Sequence, residues 1–241
     1  MRFPDSLFKN MSFPCPGCDS DDAPPGGRGF CPACTAKLHI YPDDMLFCPG
    51  CGGPHDGALA VCSQCLAEPV RLWQSAAAVF PYYGFGKKLI REFKFANRPE
   101  FARPFGALLA QAVSRSNFCP DVLVPVPLHF SSFWRRSYNQ AELLAKVCGR
   151  ELDIPVISAL RRIHAGTKQA KLGRHERHVL KKSFLCVKPD KLKGCRVMLI
   201  DDVLTTGATL SAAAGVLWAC GISELAVAVA ARTPAFGAMT Q

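Results

Sequence analysis

VMLIDDVLTTGATL, residues 197–210, runs four apolar residues into two adjacent aspartates and then into threonines set around one glycine. The apolar run reads as a buried strand that ends on the acidic pair, and ATLSAAAGVLWACG (208–221) reads as the helix that follows, closed by Gly221. In a parallel sheet the ligand crevice lies beyond the carboxyl ends of the strands, so Asp201 and Asp202 are expected to face it. The loop between strand and helix offers amides that have no intrahelical partner and carry the positive end of the helix dipole, which together cradle phosphate. Gly207 and the backbone of Ala208 allow close approach, and Thr205, Thr206 and Thr209 add hydroxyl donors. The two carboxylates would repel a phosphate but can accept hydrogen bonds from sugar hydroxyls, or hold Mg²⁺ through water. A ribose 5-phosphate with a second anionic group satisfies both halves of the stretch.

Working outward, strand and helix signals alternate. SAAAVFPYY (75–83) reads as a strand and GKKLIREFKF (86–95) as a helix with Leu89, Ile90 and Phe93 on its inner face. PEFARPFGALLAQAVSRS (99–116) is a second helix, buried through Phe101, Phe105, Leu108, Leu109 and Ala112. DVLVPVPL (121–128) is a short buried strand that must stop at its prolines, which cannot donate to a central ladder. Ser137, with Gln140 three residues on, has capping-box spacing for a helix whose inner face is Leu143, Leu144 and Val147. SELAVAVAART (223–233) is the last strand. This alternation implies an α/β fold, a mostly parallel sheet with helices on both faces.

Eight of the thirteen cysteines fall before position 66 in four C-x-x-C pairs: Cys15 and Cys18, Cys31 and Cys34, Cys48 and Cys51, Cys62 and Cys65. Two such knuckles complete a tetrahedral four-thiolate shell suited to Zn²⁺, and a closed shell is structural because it leaves no position for water. One ion is expected on Cys15, Cys18, Cys31 and Cys34 and a second on Cys48, Cys51, Cys62 and Cys65, with a cross-braced pairing as the alternative. His39 and His55 are spare. Residues 1–70 thus read as a double zinc-ribbon domain and 71–241 as the α/β domain.

Charge divides at the same place. Residues 1–70 carry four Lys/Arg against eight Asp/Glu, and 71–241 carry twenty-five against eleven. The basic part favours polyanions. Its densest cluster, residues 161–182, holds eight Lys/Arg, three His and one acid, and Lys168, Lys171, Arg174, Lys181 and Lys182 are the candidate nucleic-acid contacts. No apolar run reaches the roughly 18 residues of a membrane span, and the amino terminus lacks the apolar segment of a secretory signal, so a cytoplasmic protein is expected.

The strand, acidic pair and TTGAT loop resemble the phosphoribosyl pyrophosphate (PRPP) motif of type I phosphoribosyltransferases. With the four C-x-x-C pairs, IREFKFANR, VPVPLHFSSFWRRSYNQAELLA and TKQAKLGRHER, nearly the whole chain resembles the ComF family of competence-related proteins. The resemblance implies a type I phosphoribosyltransferase fold behind a double zinc ribbon, two structural Zn ions, and PRPP with Mg²⁺ over the TTGAT loop. In transferases of that fold pyrophosphate leaves C1 of the ribose as a base or amine attacks, and catalysis is mainly positioning and charge neutralisation. Asp201 and Asp202 would be the catalytic pair, with Arg136, Gln169 and Arg177 as further PRPP contacts. Ser137 stands where the family usually has glycine, which predicts a different turn there, and Leu180 stands where it tends to have asparagine. Three functions follow: an accessory protein for DNA uptake that handles single-stranded DNA, a working phosphoribosyltransferase on an unidentified base or amine, or a PRPP-sensing regulator.

Overall fold

The computed structural model describes residues 13–68, 71–128, 137–163 and 183–234. Four parallel strands form the central sheet in the order β1-β6-β5-β2, with β1 at Ser75–Pro81, β2 at Val122–Pro125, β5 at Arg196–Leu204 and β6 at Glu224–Arg232. Their near-continuous Val, Ile, Leu and Ala content is that of strands buried on both faces. A short antiparallel pair, β3 (Leu160–Arg162) and β4 (Phe184–Cys186), forms a separate sheet whose Leu160 and Phe184 are buried against the main one.

Helices cover both faces. Strand alternation sends Ala77, Val79, Met198 and Ile200 into one apolar layer and Ala76, Ala78, Val197 and Leu199 into the other. The first layer is closed by α3 (Gly84–Phe95), α4 (Ala102–Arg115) and α5 (Gln140–Leu152), through Leu89, Phe93, Phe105, Leu109 and Leu144. Helices α4 and α5 approach closely at Gly106, where an added Cβ would lie 2.5 Å from Val147 Cβ. The second layer is closed by α6 (Ala208–Trp218), whose Leu210, Ala213, Ala214 and Leu217 are buried.

The cysteine-rich segment does not stand off from this core. Its first half, with α1 (Pro32–Leu38), shares the first layer: Phe30 packs against Phe105 at a ring separation of 5.2 Å, and Arg103 donates to Gly26 O at 2.9 Å. Its second half, with α2 (Ser63–Ala67), shares the other layer, where Trp73 Nε1 donates to Gly50 O at 3.1 Å. Between the halves the chain crosses the outer edge of β1, and Tyr41 N donates to Val79 O at 2.9 Å. Gly52, at φ +69°, lies so near the β1 backbone that a Cβ would meet Ala77 C and Ala78 N at 2.7 Å. The opposite sheet edge is covered too, because Leu123 of β2 exchanges backbone bonds with Pro155 and Ile157.

Two local expectations are corrected. Strand β5 does not end on the acidic pair: Asp201, Val203 and Leu204 stay in register with Val229, Ala231 and Arg232, because the long neighbour β6 continues the ladder. The cap of α5 is Asn139, whose side chain accepts from Ala141 N, and not Ser137. Ser137 instead adopts φ +59°, the left-handed conformation that glycine takes without strain.

Candidate functional site

Strand β2 stops at Pro125, opposite Ile200, and Val126 N still donates to Ile200 O. Among the described residues, β5 from Asp201 onward is therefore paired on the β6 side alone. The gap this leaves is a cavity of about 260 Å³ at the carboxyl end of the sheet, lined by Asp201, Asp202, Thr205 and Thr209 together with Lys94, Arg162, Tyr82, Leu128 and Asn139.

The two carboxylates reach the cavity from opposite faces of the sheet, as alternation requires. Asp202 takes the α3 face, where Lys94 Nζ lies 2.7 Å from its Oδ1. Asp201 takes the other face, and its Oδ1 accepts from Asp202 N at 2.8 Å. Burial, followed by the charge of Asp202, pushes the Asp201 carboxyl up to about 7. Lys94 is held above the ordinary lysine value: burial would lower it, but the charges of Asp202 and Asp201 and the Asp202 hydrogen bond outweigh that. Burial lowers Arg162, against the pull of Asp201. Its guanidinium lies 5.3 Å from the Phe184 ring centroid, and among the described residues its Nε has no hydrogen-bond partner.

The TTGAT loop turns through Gly207 at φ +78° into α6. Thr206 Oγ1 accepts from Ala208 N at 3.4 Å, while Arg71 donates to Thr206 O at 2.5 Å. A Cβ at Gly207 would overlap Arg71 Nη1, so this glycine makes room for a cation placed directly on the loop. Arg71 is braced by the Trp73 ring, 5.4 Å away. Of the loop residues named from sequence, Thr205 and Thr209 line the cavity; Thr206, Gly207 and Ala208 do not, and shape the turn beside it. Arg136, Gln169 and Arg177, and the candidate nucleic-acid contacts Lys168, Lys171, Arg174, Lys181 and Lys182, lie outside the described residues.

Lys94, Arg162 and Arg71 were not singled out by sequence reasoning. Lys94 sits in a helix that reads as amphipathic, where a lysine looks like part of the wet face. Arg162 was one cation among many in the 161–182 cluster, and Arg71 belongs to the segment between the cysteine pairs and β1.

Away from the cavity the eight paired cysteines gather as two groups, Cys15, Cys18, Cys31, Cys34 and Cys48, Cys51, Cys62, Cys65, the sulfurs of each lying within 4.8 Å of one another. Cys18 and Cys31 sulfurs are 3.5 Å apart and those of Cys51 and Cys62 3.7 Å, close to the edge of roughly 3.8 Å that Zn–S bonds of about 2.3 Å give a tetrahedron. Backbone N–H groups point at the sulfurs, from Cys31 to Cys15 and from Cys62 to Cys48, both at 3.3 Å. Each group could hold a zinc ion. No helix among the described residues is long and apolar enough to cross a membrane.

Three comparisons with known proteins bear on this arrangement. No family model matches the chain. Competence protein F of Haemophilus influenzae is 32% identical over 208 residues, covering 83% of this chain and 89% of the relative. DNA utilization protein YhgH of Escherichia coli K12 is 32% identical, with 86% and 92% covered, and competence protein ComFC of Bacillus subtilis is 33% identical, with 76% and 75% covered. Among solved structures, a purine phosphoribosyltransferase from Pyrococcus horikoshii overlaps 69% of this chain and 98% of its own at 16% identity and a TM-score of 0.34. The glutamine PRPP amidotransferase from B. subtilis overlaps 56% of this chain, which spans 26% of that enzyme, at 22% identity and a TM-score of 0.37.

Proposed function

The chain belongs to the ComF family, and from that premise we propose that it binds PRPP, or a similar ribose 5-phosphate, in the cavity above β5 and assists DNA uptake in the cytoplasm by handling single-stranded DNA. The observation that carries the ligand half is the convergence of Asp201, Asp202, Thr205 and Thr209 in one cavity beside Lys94 and Arg162. In this reading the threonine hydroxyls and the Arg71-backed loop take the 5-phosphate, since a helix start with an adjacent guanidinium favours an anion. The carboxylates take the ribose hydroxyls. They are also the oxygen donors that a hard cation such as Mg²⁺ requires, and that ion would offset the charge of a pyrophosphate. Lys94 and Arg162 supply positive charge where the pyrophosphate would lie, and Arg136, Gln169 and Arg177 are further proposed contacts.

The DNA half is supported by the names of the relatives, competence protein and DNA utilization protein, and by the basic bias of residues 71–241. Calorimetric titration of PRPP with Mg²⁺ tests the ligand half. Replacing Asp201→Asn and Asp202→Asn together should weaken binding at least about tenfold, a loss of roughly 1.4 kcal/mol, in a protein that keeps its fold. Equal affinity in the folded double variant removes the pair from the site. Pyrophosphate released on incubation with bases or amines would identify turnover as well.

A further inference from the structure

The segment that leads from the cysteine-rich half into β1 is tied down at four successive residues. Gln74 N donates to Leu225 O at 2.9 Å, and Gln74 Oε1 accepts from Leu225 N at 2.8 Å. Trp73 is buried and donates through Nε1 to Gly50 O at 3.1 Å. Leu72 O accepts at 2.8 Å from Nε1 of Trp218, the last residue of α6. Arg71 reaches the loop ahead of that same helix, where its Nη1 donates to Thr206 O.

Gly50 belongs to the second cysteine group. It lies between Cys48 and Cys51, and a Cβ there would meet Cys65 Sγ at 2.9 Å. A continuous path of contacts therefore runs from those sulfurs through Gly50 and Trp73 to Arg71, whose guanidinium lies against the Trp73 ring, and on to Thr206.

Arg71 does not line the β5 cavity, so it acts on the loop from behind. In a planar trans peptide the C=O and N–H point in opposite directions. Holding the Thr206 carbonyl toward Arg71 thus turns the Gly207 N–H away from it. That N–H lies just ahead of α6, where no helical carbonyl can take it and an anion can. Glycine accepts either sign of φ, so the Thr206–Gly207 peptide could turn over at little cost, and the guanidinium selects one orientation.

We propose that Arg71 is a positioning residue for the 5-phosphate: it holds the Thr206–Gly207 peptide with the Gly207 N–H turned to the phosphate, and Trp73, tied to the second cysteine group, sets where Arg71 stands. The proposal rests on the reading of the β5 cavity as a ribose phosphate site. By this route the cysteine-rich half takes part in ligand binding, although none of its described residues lines the cavity.

Calorimetry on the full zinc-loaded chain tests it with two ligands: ribose 5-phosphate, which needs the loop, and magnesium pyrophosphate, which would lie by Lys94 and Arg162. Arg71→Met should weaken ribose 5-phosphate about tenfold, the scale of one hydrogen bond to a charged group, and leave magnesium pyrophosphate unchanged. Arg71→Lys keeps the charge but not the planar fork set on Trp73, and should recover only part of the loss. Trp73→Phe keeps a ring and removes the bond to Gly50; it should weaken ribose 5-phosphate about threefold in the natural chain and not at all in the Arg71→Met chain, the non-additivity expected of residues acting in series. Circular dichroism and zinc content verify that each variant is folded. Natural affinity for ribose 5-phosphate in Arg71→Met, full recovery in Arg71→Lys, equal loss of both ligands, or additive losses for the two sites overturns the proposal. A natural chain that binds neither ligand removes the cavity reading and this inference with it, whereas one that binds both and is indifferent to Arg71→Met removes this inference alone.

Discussion

Lys94 Nζ and Asp202 Oδ1 sit 2.7 Å apart, tying the last turn of α3 to the one strand that carries both cavity carboxylates. Both side chains are largely buried, at 18% and 10% exposure. Removing one partner of such a pair leaves the other charge stranded, here beside a second carboxylate. Lys94→Met should therefore cost about 3 kcal/mol in urea unfolding, and adding Asp202→Asn to it should restore part of that loss. If the two substitutions simply add, the pair contributes nothing through its contact.

The raised Asp201 carboxyl predicts a pH profile. Its folded value of about 7 lies above the ordinary 3.8, so between these values the folded chain holds a proton that the unfolded chain has released. Stability from this group is complete below about pH 4 and falls as pH rises toward 7. Asp201→Asn removes the fall. Its thermal advantage over the natural chain should grow from pH 5 to pH 8, reaching on the order of 2 kcal/mol, and a constant difference across that range would contradict the assignment.

Ser137 is exposed and held at φ +59°. Ser137→Gly relieves the Cβ conflict of that conformation and should stabilise the fold by up to about 1 kcal/mol without altering ligand affinity. A loss of stability would mean that the serine side chain contributes more than its backbone costs.

Metal analysis should find two zinc ions per chain. Because Cys15, Cys31 and Cys34 share one apolar layer with Phe80 and Phe105, and Cys48, Cys51 and Cys65 share the other with Val229, chelation should dismantle both layers in one transition. Residues 13–68 melting first, with the sheet intact, would contradict this packing.

For DNA, the expected contacts are in the basic stretch beyond β3. Changing Lys168, Lys171, Arg174, Lys181 and Lys182 to glutamine should flatten the log–log salt dependence of single-stranded DNA binding by roughly 3.5 if all five meet phosphates. An unchanged slope would move the contact elsewhere. Because residues 13–68 close the β1 edge, their deletion is a poor control for this measurement.

What the sequence made legible was local. The four cysteine pairs announce their chemistry by spacing, and the DDVLTTGAT stretch announces a strand, a loop and a helix start within a few residues. What it hid depends on register between distant segments. Asp201 and Asp202 read as the end of a strand because their own polarity suggests it, whereas the length of β5 is set by pairing with β6. Lys94 reads as a surface lysine until β2 stops short and opens a gap for it. Asn139 outcompetes Ser137 as a cap because its Oδ1 accepts from Ala141 N at 3.2 Å while its Nδ2 donates to Val126 O at 3.0 Å, and that acceptor comes from the distant segment just past β2.

The bond from Tyr41 N to Val79 O has a consequence for the protein in a crowd. Strand β1 is apolar, seven residues long and at the margin of its sheet, the kind of segment that recruits a like strand from another molecule when its backbone row is bare. The crossing between the two cysteine groups is its shield, and that crossing is held at each end by sulfurs. Zinc supply should thereby set not only whether one molecule keeps its shape but whether many stay apart: starved of metal, the chain is expected to turn turbid at concentrations where the loaded form remains clear.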